Sequence, residues 1–300
     1  MRRSPRIGAG LITAALSLLA PSLSLGQRPL AFNDVASLTA PPPSHRVAYG
    51  PGPLQFGHLR LPKGSGPHPV VIFVHGGCWL SQYTIAHAAA LEKALADSGY
   101  AVWSIEYRRV GDEGGGWPGT FDDVGRAADH LRALATQHPL DLRRVVAAGH
   151  SAGANFAIWL ASRPRLRKES PLRVDNPLPI RAVLGLSPGG DFANLHAQGV
   201  CNNVIDKLMG GSPSQVPERY RDVSPGQLLP LGVPQTLIVG GLDRGWGPPG
   251  RAYHAMAVAA RDTLVRLIEA PASGHFDIIA PTTTTWPIVI RALRELTPTS

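Results

Sequence analysis

Val145-Val146-Ala147-Ala148-Gly149-His150-Ser151-Ala152-Gly153 decides the reading of this 300-residue chain. Its first four residues are apolar and include two β-branched valines, the composition of a buried strand. Ala152 opens an apolar stretch that runs to Ser162 and reads as a helix. Between strand and helix, Ser151 is flanked two residues away on each side by glycine. A chain that turns this sharply from strand to helix needs small residues at both positions, and glycine meets both demands. The turn exposes the Ser151 hydroxyl at a helix N-terminus, where free N–H groups favour developing negative charge. A lone G-x-S-x-G match is an ordinary turn; with a strand before and a helix after, Ser151 reads as a nucleophile.

Working outward, the same alternation continues on both sides. Val70–Val74, Ala101–Ile105, Ile180–Leu186, Gln235–Val239 and Leu264–Glu269 read as further strands. Ala86–Ser98, Phe121–Gln137, Arg251–Arg261 and Thr284–Leu296 read as helices between or after them. Strands alternating with helices predict an α/β fold with a mostly parallel twisted sheet and helices on both faces. The arm 27–69 is rich in Pro and Gly and reads as irregular, with short strands near Ser44–Tyr49 and Leu54–Leu61. Residues 189–234 break the rhythm. They are expected to form a cap-like insertion over the site, with short helices near Cys201–Met209 and Pro217–Arg221, in a single domain spanning 27–300.

The remaining parts of an acyl-transfer site fall at strand exits. His75-Gly76-Gly77-Cys78-Trp79 follows the strand Val70–Val74. Adjacent glycines let backbone N–H groups face an oxyanion unhindered, so Gly76 and Gly77 are candidate donors, with Ala152 as a third. His75 and Trp79 are expected to orient this loop. His275, after the strand Leu264–Glu269, is the candidate base, ahead of His254, which lies within a helical pattern. Asp243, after the strand Gln235–Val239, is the candidate acid that would orient His275. Asp191 is the alternative acid, and Asp277 reads as a local structural carboxylate. The order Ser151, Asp243, His275 separates this fold class from other serine-hydrolase folds.

Composition narrows the class further. Hydrophobic residues make up 44% of the chain, enough for a sizeable core, and charged residues 17%. The formal net charge is +8, of which three units come from Arg2, Arg3 and Arg6, leaving +5 beyond residue 26. No basic run interleaves with aromatics, so a nucleic-acid partner is not expected. No His-rich metal spacing or phosphate-binding glycine loop occurs, and neither metal nor organic cofactor is expected. A basic start followed by the apolar run Ile7–Ala20 and the small residues Ser24-Leu25-Gly26 reads as a signal peptide over 1–26. At about 14 residues this run is short of the roughly 20 that span a bilayer. A periplasmic or secreted protein without a stable membrane anchor is therefore expected.

These motifs, together with Glu106-Tyr107-Arg108, Trp117-Pro118, Asp122-Asp123-Val124, Gly240-Gly241-Leu242-Asp243 and Gly274-His275-Phe276, resemble a known group. They are similar to the bacterial α/β-hydrolases related to kynurenine formamidases and to hormone-sensitive-lipase-like and feruloyl-type esterases. The resemblance covers roughly Pro69 to Leu296. It implies Ser151, Asp243 and His275 as catalytic triad and Gly76, Gly77 and Ala152 as oxyanion donors. Trp79 in the glycine motif leans towards the formamidase-like branch. The stretch Arg244-Gly245-Trp246-Gly247-Pro248 departs from relatives that carry a Val-Pro step after the acid. An exported leader argues against a formamidase substrate.

An insertion folded over the site would bring Cys201 to Cys78. A disulfide between them is expected, against the reading of two separate buried thiols. The expected activity is hydrolysis of small or aryl carboxylic esters. An amidase, formamidase or peptidase would use the same machinery, and a non-catalytic binding protein is the alternative of a different class. The expected partner is a small acyl substrate.

Overall fold

The β-branched runs pair into one eight-stranded sheet in the computed structural model, which describes residues 28–298. The leader predicted for residues 1–26 lies outside them. The strands are β1 His45–Ala48, β2 Phe56–Arg60, β3 His68–Val74, β4 Ala101–Ile105, β5 Leu140–His150, β6 Ala182–Leu186, β7 Gln235–Gly240 and β8 Val265–Ala270. Their order across the sheet is β1-β2-β4-β3-β5-β6-β7-β8. β1 and β2 pair antiparallel, as do β2 and β4, and every pairing from β4 to β8 is parallel.

The helices are α1 Phe32–Ala36, α2 Ala89–Asp97, α3 Gly119–Asp129, α4 Leu131–Leu134, α5 Ala152–Ser162, α6 Phe192–Ala197, α7 Val200–Met209, α8 Pro217–Val223, α9 Gly247–Ala259 and α10 Trp286–Leu296. They lie on both faces of the sheet because the central strands are apolar on both. In β3, Val70, Ile72 and Val74 enter a core shared with α3, α5 and α9, while Val71 and Phe73 enter a second core shared with α2 and α10. This is the period-2 alternation of a strand with two buried faces. Every residue of α5 is buried, which explains why its sequence is apolar all round.

The two irregular segments carry the expected short elements, β1 and β2 in the arm and α7 and α8 in 189–234, but residues 189–234 are less polar in their packing than their sequence suggests. Phe192, Leu195, Val204, Ile205, Leu208 and Met209 are buried in the same core as α5, so α6 and α7 are part of the main body. Their link to the site is covalent, through the Cys78–Cys201 disulfide, with 5.6 Å between Cα atoms. Cys201, Asn202 and Asn203 have left-handed backbone, so regular helix in α7 begins at Val204. The two asparagines tolerate that conformation better than most residues. In the arm, α1 forms where an irregular segment is expected. A five-residue helix carries too little periodicity to read and too few hydrogen bonds to persist alone; packing of Val35 against the second core holds it.

Candidate functional site

β5 ends at His150 and α5 begins at Ala152, leaving Ser151 alone to make the turn. Its backbone sits at φ 55° and ψ −122°, a conformation that costs on the order of 1–3 kcal/mol for a non-glycine residue. The flanking glycines show what holds it there. A Cβ on Gly153 would lie 2.1 Å from the Val74 carbonyl oxygen, and one on Gly149 would lie 2.3 Å from the Gly153 carbonyl oxygen. Both positions are closed to any side chain, so the motif is enforced by β3 as well as by the turn.

Asp243 and His275 come from the exits of β7 and β8, which are neighbours. The His275 Nδ1–H donates to Asp243 Oδ2 at 2.7 Å. The Ser187 hydroxyl donates to the same oxygen at 2.9 Å, and the Trp246 N–H to Oδ1 at 2.9 Å. Burial alone would raise the Asp243 carboxyl. The hydrogen bond and charge of His275, with the Trp246 N–H and Ser187, outweigh it and hold the group down to about 2. The segment Arg244–Pro248 thus has a use: Trp246 caps the carboxylate and stacks on the His275 ring at 5.9 Å.

Ser151 and His275 line one pocket of about 140 Å³, together with Phe32, Gly77, Cys78, Tyr83, His87, His150, Trp246 and Phe276. No hydrogen bond joins the Ser151 hydroxyl to His275 among the described residues; such contacts commonly close only when substrate binds. Three larger hollows, of about 680, 600 and 230 Å³, lie elsewhere and contain none of these residues.

The glycine loop runs beside Ser151. Backbone N–H groups of Gly76, Gly77, Cys78 and Ala152 make no backbone hydrogen bond among the described residues. Gly77 and Cys78 line the pocket, and Gly76 lies against the turn, where a Cβ would come within 2.9 Å of the His150 carbonyl oxygen and 3.2 Å of the Ser151 Cβ. His75 is fully buried and braces the loop: Nδ1 contacts the Gly76 carbonyl at 2.7 Å and Nε2 contacts Glu106 Oε1 at 2.9 Å. Burial would raise the Glu106 carboxyl, but His75, Arg109 and the Ile85 N–H hold it down to about 2. Trp79 is buried between Phe192 and Trp246, which fastens the loop to the first core.

The other candidates have separate jobs. Asp191 caps α6 by accepting the Asn194 N–H at 2.8 Å, and Gln227 donates to its second oxygen. Asp277 accepts the Gly274 N–H at 2.8 Å, shaping the loop that carries His275. His254 lies on α9 and does not line the pocket. Among the described residues, no group of three or more His, Cys, Asp or Glu is arranged to hold a metal ion, and no helix is long and apolar enough to cross a membrane.

Sequence reasoning missed two supports. Ser187, at φ 50° after β6, reaches Asp243 across the sheet, and nothing local to Ser187 signals this. His150, inside the motif itself, donates Nε2–H to the His275 carbonyl at 3.0 Å. Burial, then the charge of His275, pushes the His150 pKa well below the usual histidine value, so it stays neutral. A histidine next to the nucleophile is the signal that could have drawn attention to it.

Comparison with known proteins fits this geometry. A family model described as BD-FAE matches residues 59–244. Esterase LipC of Mycobacterium tuberculosis is 28% identical over 254 residues, covering 78% of this chain and 60% of that protein. A probable isoprenylcysteine alpha-carbonyl methylesterase of Oryza sativa subsp. japonica is 28% identical over 210 residues, covering 66% of this chain and 49% of its own length. The chain thus spans about half to three fifths of these relatives. Among solved structures, esterase B of Lactobacillus Rhamnosis superposes with a TM-score of 0.70 at 21% identity, covering 88% of this chain and 89% of its own. The bifunctional GH43-CE of Bacteroides eggerthii gives 0.71 at 19% identity, covering 84% of this chain and 38% of its own. At these identities the structures share the fold.

Proposed function

The chain belongs to the BD-FAE family, and from that premise and the site geometry we propose that it hydrolyses small or aryl carboxylic esters through an acyl-enzyme on Ser151. The observation that carries the proposal is the convergence of Ser151, with its strained backbone, and the Asp243–His275 pair on one pocket. His275 Nε2 takes the proton from Ser151 as its oxygen attacks the acyl carbonyl. Asp243 keeps the His275 Nδ1 proton in place and stabilises the imidazolium that forms. The N–H groups of Gly76, Gly77 and Ala152 are the donors we assign to the oxyanion, with Cys78 beside them on the pocket wall. His275 then protonates the leaving alcohol. Water, deprotonated by the same histidine, releases the acid and restores Ser151.

Pocket size supports small acyl groups, because about 140 Å³ is well below the roughly 300–1,000 Å³ of sites for larger ligands. Its aromatic lining supports flat substituents. The same reading sets the enzyme outside the cytoplasm, supported by the Cys78–Cys201 disulfide and the leader predicted for residues 1–26. The test is labelling with a fluorophosphonate probe and hydrolysis of p-nitrophenyl acetate. Ser151→Ala is expected to abolish labelling and lower kcat by at least about 10⁴-fold. Labelling that survives the substitution would remove Ser151 as nucleophile.

A further inference from the structure

Part of the Ser151 pocket is built by a residue distant in sequence. Phe32, the first residue of α1, sets its ring edge-on against Tyr83 at 5.0 Å, His87 at 5.5 Å and Phe276 at 5.9 Å. These residues line the pocket with Ser151 and His275. Phe32 is therefore wedged between the segment after the oxyanion loop and the loop that carries the base.

The segment bearing Phe32 is clamped to that second loop. The Leu30 N–H donates to Asp277 Oδ2 at 3.2 Å, and the same oxygen accepts the Gly274 N–H at 2.8 Å. Pro29 lies flat on Gly274, where a Cβ would come within 2.5 Å of the Pro29 Cβ. One carboxylate thus joins the N-terminal segment to the turn preceding His275. Val35 anchors the other end, with Leu30 and Leu38 packed at the margin of the second core.

We propose that residues 28–38 form a strap that sets substrate size, with Phe32 limiting the length of the group accepted beside Ser151. This rests on the esterase reading above. The ring occupies space that a longer chain would need. Rigid apolar pockets discriminate by roughly 10–200-fold per methylene, so removing the ring has a large effect on chain-length preference.

The experiment measures kcat/KM for two ester series with wild type, Phe32→Leu and Phe32→Ala. One series is p-nitrophenyl esters from acetate to octanoate; the other is acetates of ethanol to octanol. In one of the series, the long-to-short ratio is expected to rise by at least about tenfold in Phe32→Ala, with Phe32→Leu between. Phe32→Leu keeps an apolar side chain for docking, so a graded response separates pocket size from loss of the strap. The series that responds identifies the acyl or the alcohol side. An active wild type whose ratios are unchanged in both variants overturns the strap. A wild type that hydrolyses neither series overturns the esterase reading instead.

Discussion

The strap and the 189–234 segment both flank the site and both lack the periodicity of the surrounding elements, yet they are held in opposite ways. The 189–234 segment is seated by bulk apolar burial: Phe192, Ile205, Leu208 and Met209 are fully enclosed. A disulfide from Cys201 then fixes it to the glycine loop at Cys78. The strap fully buries only Val35 among the hydrophobic residues of α1, and depends on Asp277 and on the partly buried Phe32. Apolar surface therefore decides which segment becomes part of the body and which remains a thin wall. The segment that looks like a cap in sequence is structural, and the one that looks like a loose arm shapes the pocket.

Truncation tests this contrast most severely. Phe192→Ala is expected to cost about 3–5 kcal/mol in chemical denaturation, because it empties a site shared with Trp79 and Phe121. Phe32→Ala should cost less, roughly 1–2 kcal/mol, since its ring is only partly buried. Comparable losses for the two would abolish the distinction.

The disulfide comes next. Cys201→Ser paired with Cys78→Ser is expected to cost about 2–5 kcal/mol, as removal of a native crosslink over a long loop does. Hydrolysis by the folded double variant should fall through kcat more than KM, because Cys78 lies beside Ser151 in the loop proposed to hold the oxyanion. A variant that keeps both stability and kcat would mean that burial alone seats the segment.

Acid should then separate the two supports. The core-facing side of 189–234 is apolar, whereas Glu106 holds His75 and the Ile85 N–H beneath the Phe32 side. In the unfolded chain Glu106 takes a proton near its ordinary value of 4.5; in the folded protein it does so at about 2. The unfolded state therefore binds more protons as pH falls through this window, and stability drops from about pH 4.5 towards 2. The loss is on the order of 3 kcal/mol, and Glu106→Gln should flatten it. Denaturant melts from pH 6 to pH 2.5 measure it; equal slopes in wild type and variant would assign the acid lability elsewhere.

Much of this protein is legible from local sequence because its causes are local. The strand and helix alternation follows from side-chain periodicity. The turn at Ser151 follows from glycines that no side chain can replace. His275 and Asp243 meet because parallel strands deliver their exits to one edge of the sheet. Tertiary structure alone decided the rest. Ser187 reaches Asp243 from the exit of β6, Cys78 and Gly77 line the pocket, and Phe32 is brought there by the Leu30–Asp277 clamp, which spans 247 residues of sequence. Such contacts depend on which surfaces meet after the core has formed. Neither α1 nor α6 has enough residues to announce itself by period, so packing, rather than propensity, sets the place of each.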